Sequence, residues 1–416
     1  MRAIVPDSEQ HQTASLPQRL RRAPWAGFHG ALLRRLAESL QRGSLTLTLP
    51  NGTTWHRQAP LPGPRASLVL HRWRALRRLL LGGDVGFAEA YGDGDWSSPD
   101  LASLIALSCV NAATMDRLVT APRLARLWNH LRHRLRANSR AGSRRNIIAH
   151  YDLGNDFFAA WLDAGMSYSS ALYRDPGATL EEAQAAKQDR AIALLDLRGG
   201  ERVLEIGIGW GGLAERLLAG HAARLTGLTL SPRQLAHAEA RLRAAGLAPR
   251  AELALRDYRD ERGRFERIVS IEMFEAVGEA YWPVFFQALH DRLVPGGIAV
   301  LQVITIAEER FAAYRRSADF IQTHIFPGGM LPSPAALRAG IAGAGLVLEQ
   351  AECFGESYAR TLAEWQDRFQ QALPRLRGMG LDARFLRLWR YYLAYCEGGF
   401  RAGAIDVGLY RIRRPG

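Results

Sequence analysis

The alternation of apolar runs with polar, glycine-marked breaks divides the chain into two unlike parts. From Ile147 onward, strand-like and helix-like stretches alternate: helix Leu180–Leu197, strand Arg202–Ile206, helix Leu213–Ala219, strand Arg224–Leu228 and helix Ser231–Ala245. Strand Arg267–Ile271, helix Tyr281–Leu293, a Pro295-Gly296-Gly297 turn and strand Ile298–Ile304 follow, and the tail from Phe311 is aromatic-rich with several candidate helices. Strands separated by helices pair in parallel through crossovers, which predicts an α/β domain with a mainly parallel sheet. The first third reads differently. A helix-like segment, Trp25–Leu40, precedes Leu45-Thr46-Leu47-Thr48-Leu49, whose alternation and following Asn51-Gly52 predict a strand entering a hairpin. A second strand-like run, Ala66–His71, follows Pro60, Pro62 and Pro64. Turns rich in Gly, Asp and Trp from Gly82 to Asp100 lead into an apolar helix, Leu101–Val110. The expected division is a small mixed α+β N-terminal domain over 1–122, an Arg-rich helix and linker over 123–145, and the α/β domain over 146–416.

Charge sharpens this division. The chain carries 54 basic and 41 acidic residues, a net of +13, and residues 1–146 hold 22 arginines against nine acids, so the remainder is neutral. Eight arginines fall between Arg123 and Arg145 with no acid among them. A one-sided field of this kind suits a polyanionic partner, either nucleic acid or an anionic lipid surface, although a solvated helix face gives the same run. The longest apolar run, Gly297–Ala307, is far short of the roughly 20 residues that span a bilayer, and Met1–Gln18 has no basic start leading into an apolar stretch. Cys109, Cys353 and Cys396 are too few and too scattered for a disulfide framework or a zinc site, and read as reduced thiols of a cytoplasmic protein.

The chemistry concentrates in Val203-Leu204-Glu205-Ile206-Gly207-Ile208-Gly209-Trp210-Gly211-Gly212, where a strand ends in a glycine-dense turn that opens a helix. Glycines let backbone approach a ligand without a Cβ, and the helix start offers free N–H groups and partial positive charge. The spacing lacks the third glycine of the nicotinamide fingerprint. Glu205 stands on the strand just before the first glycine. After the second strand, Gly227-Leu228-Thr229-Leu230-Ser231-Pro232-Arg233-Gln234 offers hydroxyl and amide groups in place of a ribose-binding acid.

Further runs accompany the loop in order: His150-Tyr151-Asp152-Leu153-Gly154-Asn155-Asp156-Phe157-Phe158, Tyr168-Ser169, Asp257-Tyr258-Arg259-Asp260 and Met273-Phe274-Glu275-Ala276-Val277-Gly278. Phe326-Pro327-Gly328-Gly329-Met330-Leu331-Pro332-Ser333, Phe354-Gly355 with Tyr358, and Tyr391-Tyr392 with Cys396 and Phe400-Arg401 complete them. With these runs the chain resembles the cyclopropane-fatty-acyl-phospholipid synthase family from about His150 to its C-terminus. The resemblance implies a class I methyltransferase sheet with a helical lid over an acyl tunnel, S-adenosylmethionine as cofactor, and an unsaturated phospholipid acyl chain as substrate. It places the cofactor at Tyr168, Ser169, Gly207, Gly209, Gly211, Thr229, Leu230 and Gln234, with Tyr258, Arg259 and Ile271 around the adenine; Glu205, on the strand before the loop, stands where methyltransferases use an acid near the methionine moiety or a bound water. It also implies a bound bicarbonate as general base, held by Ser170, Glu275, Gln302, the backbone at Ile304, and Tyr358. Cys396 stands at the family's C-terminal cysteine and reads as pocket lining. Three positions depart from the best-known bacterial pattern: Ser170 replaces a cysteine, and Ala276 and Gln302 replace histidines, the last two as in plant-type members.

An alkene is a poor nucleophile, so the donor must be a strong electrophile, and ring closure needs loss of a proton from the added methyl. Such a site requires a dry apolar tunnel, π faces to steady a carbocation, and a base close to the methyl. Candidate π faces are Trp210, Phe274, Tyr281, Trp282, Tyr358 and Phe400. A weakened base would instead give a methyl-branched or methylene lipid. A nucleic-acid methyltransferase would suit the basic domain, but neither an Asn/Asp-Pro-Pro-Tyr/Phe motif nor paired catalytic cysteines are present; a non-catalytic lipid-binding protein is a third reading. The expected partner is an anionic membrane surface rather than nucleic acid. The expected location is the inner face of the membrane, reached from the cytoplasm, with monomer or homodimer left open.

Overall fold

The computed structural model describes residues 28–115, 153–316 and 318–416. The Arg123–Arg145 run, both expected domain boundaries and the His150-Tyr151-Asp152 start of the first family run lie outside these residues.

In the N-terminal part, α1 (Phe28–Glu38), β1 (Arg42–Thr48), β2 (Thr54–Gln58), β3 (Leu61–Leu70), α2 (Arg74–Gly92), β4 (Trp96–Ser97) and α3 (Leu101–Val110) follow one another. The four strands form one sheet in the order β2-β1-β3-β4. The expected hairpin is present: β1 and β2 pair antiparallel, and Gly52 takes φ +80° at the turn, where a side chain would be strained. The stretch 82–92, expected as turns, is instead the second half of α2, kinked at Gly83 (φ 61°, ψ −142°). Burial of Ala88, Ala90 and Tyr91 decides this against the local glycine signal.

The second sheet comprises β5 (Arg202–Ile206), β6 (Arg224–Thr229), β7 (Ala251–Leu255), β8 (Phe265–Ile271), β9 (Leu293–Ile306), β10 (Val347–Cys353) and β11 (Ile405–Arg413). Their order is β10-β11-β9-β8-β5-β6-β7. Strands β5 to β9 pair in parallel, while β11 runs antiparallel to both β9 and β10. The mainly parallel α/β sheet is therefore as expected. Because β5 pairs with β6 on one side and β8 on the other, the strand order reverses at its carboxyl end, which opens a crevice there. Alternate strand residues enter opposite cores: Leu204, Ile268 and Leu301 on one face, Val203, Val269 and Val300 on the other.

A third cluster joins the two parts of the chain. It contains Trp96, Leu101 and Ile105 from the N-terminal part, Phe157 and Trp161, and Trp365, Trp389 and Tyr391 from the tail. The tail helices Gly355–Gly378 and Ala383–Arg401 pack on one another, and the second also packs against α2 and α3. That contact is close at Gly398, where a Cβ would fall 2.6 Å from the Ile105 Cβ and 2.7 Å from the Ala102 carbonyl oxygen.

Candidate active site

At the carboxyl end of β5, Gly207 and Gly209 take φ +87° and +56°, and among the described residues no atom beyond its chain neighbours lies within 4 Å of where a Gly209 Cβ would stand. The loop therefore leaves its inner side open. Gly211 plays another part. It caps the helix Gly212–Gly220 at φ +83°, and a Cβ would meet the Ala238 Cβ at 3.0 Å, so it serves helix packing and not the cavity wall. The other eleven expected cofactor residues, Tyr168, Ser169, Glu205, Gly207, Gly209, Thr229, Leu230, Gln234, Tyr258, Arg259 and Ile271, line one cavity of about 830 Å³. This is the upper part of the ~300–1,000 Å³ range of small-molecule sites. Thr229 Oγ1 donates to Gln234 Oε1 at 2.9 Å. Asp257 takes three hydrogen bonds from Arg259, whose guanidinium lies 5.6 Å from the Tyr258 ring centre and 5.7 Å from that of Tyr281.

Glu205 Oε2 is buried with no hydrogen-bond partner among the described residues. Burial pushes this carboxyl up to about 8, with Lys187 partly opposing. A buried, unpartnered carboxylate oxygen beside an open glycine loop fits the ammonium of a methionine-type ligand. Lys187 is fully enclosed, donates to Ser169 Oγ at 2.6 Å, and is drawn down to about 8 by burial against the pull of Glu272, Asp163 and Glu205.

The second cluster lies where β8 and β9 end. Glu275 Oε1 accepts the Ile304 N–H at 2.5 Å, while its Oε2 has no partner among the described residues. Burial and the neighbouring Glu272 raise Glu275 to about 8. Glu272 was not foreseen. Its Oε1 accepts the Ser170 N–H at 2.8 Å and Gln302 Nε2 at 2.6 Å, and its Oε2 accepts the Tyr358 hydroxyl at 2.7 Å. Burial raises its carboxyl, while these three donors and Lys187 hold it back. Glu272 and Glu275 both face the cavity, as do Tyr358, Cys396 and the Ile304 end of β9.

Ser170 and Gln302 are fully buried behind Glu272 and do not line the cavity. The Ser170 hydroxyl donates to the Ala171 carbonyl at 2.8 Å, so it is turned away from the anion position expected of it. The bicarbonate donor set is thus brought together, but around the protein's own carboxylates. The Cys396 thiol is pushed far up by burial, as suits lining rather than nucleophilic attack.

Of the six candidate π faces, Trp210, Tyr358 and Phe400 line the cavity, with Tyr358 and Phe400 ring centres 4.5 Å apart. Phe274 and Trp282 stack on one another in the sheet core, and Tyr281 lies beneath Arg259. From the cofactor end the cavity runs on past Leu362, Phe326 and Tyr392 to Cys109, Val110 and Ala113 of the N-terminal part. Charged groups also line it, among them Asp84, Glu309, Arg310 and Asp319. Burial and Asp319 push the Asp84 carboxyl up to about 7.

Two sequence signals could have found the residues that were missed. Lys187 is the only lysine in the chain, in a helix otherwise supplied with arginine, and lysine is the cation that tolerates neutralisation on burial. Glu272 ends an apolar strand three residues before Glu275, which places two acids at one strand end.

The comparisons with known proteins agree with this geometry. Residues 138–409 match the family model described as mycolic acid cyclopropane synthetase. The tuberculostearic acid methyltransferase UfaA1 of Mycobacterium tuberculosis is 40% identical, the match covering 100% of this chain and 97% of that protein. The cyclopropane-fatty-acyl-phospholipid synthase of Escherichia coli K12 is 33% identical over 81% of this chain and 84% of its own. The solved structure of mycolic acid cyclopropane synthase CmaA1, complexed with SAH and CTAB, superposes with a TM-score of 0.61 at 31% identity, over 65% of this chain and 98% of that one. The sheet is that of a class I methyltransferase, and the chain belongs to the cyclopropane synthase family of S-adenosylmethionine-dependent methyltransferases that modify lipid acyl chains.

Proposed function

We propose that this enzyme transfers a one-carbon unit from S-adenosylmethionine to the double bond of an unsaturated phospholipid acyl chain and closes it to a cyclopropane. The observation that carries this reading is the cavity, which continues from the cofactor loop past Tyr358, Phe400 and Cys396 to residues of the N-terminal part. Such a channel suits a long hydrocarbon better than a polar nucleobase. When bound, S-adenosylmethionine supplies an electrophilic methyl. The protein's own residues supply the rest. Gly207 and Gly209 admit the cofactor, Glu205 holds its amino group, and Tyr258 with Arg259 flanks its adenine. Tyr358 and Phe400 present π faces to the positive charge that develops on the alkene, worth roughly 0.5–2 kcal/mol each in a desolvated site. The apolar and aromatic part of the wall, formed by Leu362, Phe326, Tyr358 and Phe400, limits the water that would trap that charge as an alcohol.

A second reading keeps the cofactor and substrate and changes the product to a methyl-branched or methylene lipid. It is favoured by the relative that matches along the whole chain, which is named a methyltransferase rather than a cyclopropane synthase. In the methylene outcome the proton still leaves the transferred methyl, whereas in the methyl-branched one it leaves a neighbouring chain carbon and the methyl keeps its three hydrogens.

Acyl chains lie inside a bilayer, so the enzyme must meet a membrane surface first. No described helix is long and apolar enough to cross a membrane, and the 22 arginines of residues 1–146 would contribute about 1 kcal/mol each where they approach anionic headgroups. We read the protein as docking peripherally from the cytoplasmic side.

Incubation with methyl-labelled S-adenosylmethionine and vesicles of saturated or unsaturated anionic phospholipid tests the reading. Label is expected in the unsaturated lipid alone, with upfield cyclopropane protons in its NMR spectrum. Equal labelling of saturated lipid, or labelling of RNA in place of lipid, would overturn it.

A further inference from the structure

We infer that Glu272 is the catalytic base of this enzyme, its carboxylate standing where an exogenous anion would otherwise be held. The inference rests on the reading of the reaction given above and adds the group that accepts the proton.

Three observations carry it. First, the donors suited to an anion beside the methyl are already engaged. The Ser170 N–H, Gln302 Nε2 and the Tyr358 hydroxyl all point at Glu272, at 2.8, 2.6 and 2.7 Å, and the Ile304 N–H points at Glu275. A bicarbonate ion therefore does not fit the donor set as it stands, since it would have to displace a bonded carboxylate and bring a further negative charge beside two acids. Second, the two acids are inequivalent. Among the described residues Glu272 accepts three side-chain or backbone hydrogen bonds from other residues and Glu275 one, so the single proton that a close carboxyl pair retains belongs on Glu275, leaving Glu272 ionised. The other titratable groups around Glu272 act in the same sense or are neutral: Lys187 attracts the carboxylate, while burial holds the Tyr358 hydroxyl and the Cys396 thiol protonated. Third, Glu272 takes φ +49°, in the left-handed region where a side chain is strained. Such strain persists where the surroundings fix a side chain for use.

The chemistry balances without a further reactant. The alkene π pair forms the new bond to the methyl carbon, and the carbon–sulfur pair leaves with sulfur. One methyl C–H bond then breaks, its electron pair forms the third ring bond, and its proton passes to Glu272 Oε2. Release of that proton to solvent restores the carboxylate.

The φ value makes the decisive substitution a mild one. Glycine relieves the strain, removes the carboxylate and leaves an anion-sized space before the same donors. Turnover is followed as labelled lipid product in carbonate-free buffer and again with added bicarbonate, for the native enzyme, Glu272→Gly and Glu272→Gln. Calorimetric binding of S-adenosylhomocysteine reports on the site's integrity. The native enzyme is expected to be indifferent to bicarbonate. Both variants are expected to bind S-adenosylhomocysteine as the native enzyme does yet lose at least about 100-fold in turnover, the lower range for a positioned base. Bicarbonate is expected to restore part of the loss in Glu272→Gly and none in Glu272→Gln, whose amide still fills the space. A native enzyme that stops when carbonate is removed, or variants that keep near-native turnover, would overturn the inference. Native enzyme that modifies no unsaturated lipid under any condition would instead sink the reaction on which it rests.

Discussion

Replacing Glu205 by glutamine separates what this carboxylate costs the fold from what it gives the cofactor. Glu205 ends β5 with one oxygen unpartnered among the described residues, and burial pushes its carboxyl from an ordinary 4.5 up to about 8. Between those values the folded chain keeps a proton that the unfolded chain has released. The stability linked to this group is complete below pH 4.5 and is lost as pH rises through about 8. By pH 9 the loss is bounded by roughly 5 kcal/mol. Glutamine keeps the shape and never ionises. Ligand-free Glu205→Gln protein should therefore unfold near the native temperature at pH 5 and at a clearly higher one at pH 9. The cofactor's ammonium should report the opposite. It loses a charge-assisted partner worth about 1.5–3 kcal/mol, so S-adenosylhomocysteine should bind roughly 10- to 100-fold more weakly at pH 8. Thermal unfolding at the two pH values and calorimetric titration measure both effects. A variant that is less stable than native at pH 9, or that binds the ligand equally well, refutes the assignment.

Tyr358→Phe removes one of the three donors on Glu272, which raises that carboxyl; the pH profile of turnover should move up by about 1–2 units with ligand affinity unchanged. An unshifted profile would separate Tyr358 from the base. Ser170→Ala removes a hydroxyl bonded only to the Ala171 carbonyl among the described residues, so it should cost about 1 kcal/mol of stability in chemical denaturation and leave turnover near native. A large loss of turnover would return the hydroxyl to the reaction. Cys396→Trp should fill the channel beyond the cofactor, abolishing lipid labelling while S-adenosylhomocysteine still binds. Labelling at the native rate would mean the chain takes another route.

What could be read from the sequence was what local pattern determines. The glycine loop is legible because a strand, φ-positive turns and a helix start follow one another within ten residues. The hairpin at Asn51-Gly52 is legible for the same reason. Residues 82–92 were not, because Gly82, Gly83 and Gly86 signal turns locally while burial in the core shared with the tail helices makes the segment helical. Strands β10 and β11 were missed because their runs are broken by charge. Glu349 and Glu352 lie on an edge strand, and Arg411 reaches from β11 to Glu349 and to the Leu194 carbonyl. In the site, Glu275 and Tyr358 stood in recognisable runs, and both face the cavity. Glu272 did not stand out, because its significance depends on Ser170, Gln302 and Tyr358 converging from positions 102, 30 and 86 residues away. Gly211 shows the converse: a loop glycine whose structural requirement is the close approach of Ala238.

Ring formation of the proposed kind joins the transferred methyl carbon to a double bond and removes one of its three hydrogens as a proton. Turnover of a monounsaturated phospholipid with trideuteromethyl-labelled S-adenosylmethionine, followed by mass spectrometry of the released fatty acid, tests it directly. The added carbon should retain two deuterium atoms, the third having gone to the base. A product that retains all three, or a lipid fraction that carries no label, would contradict it.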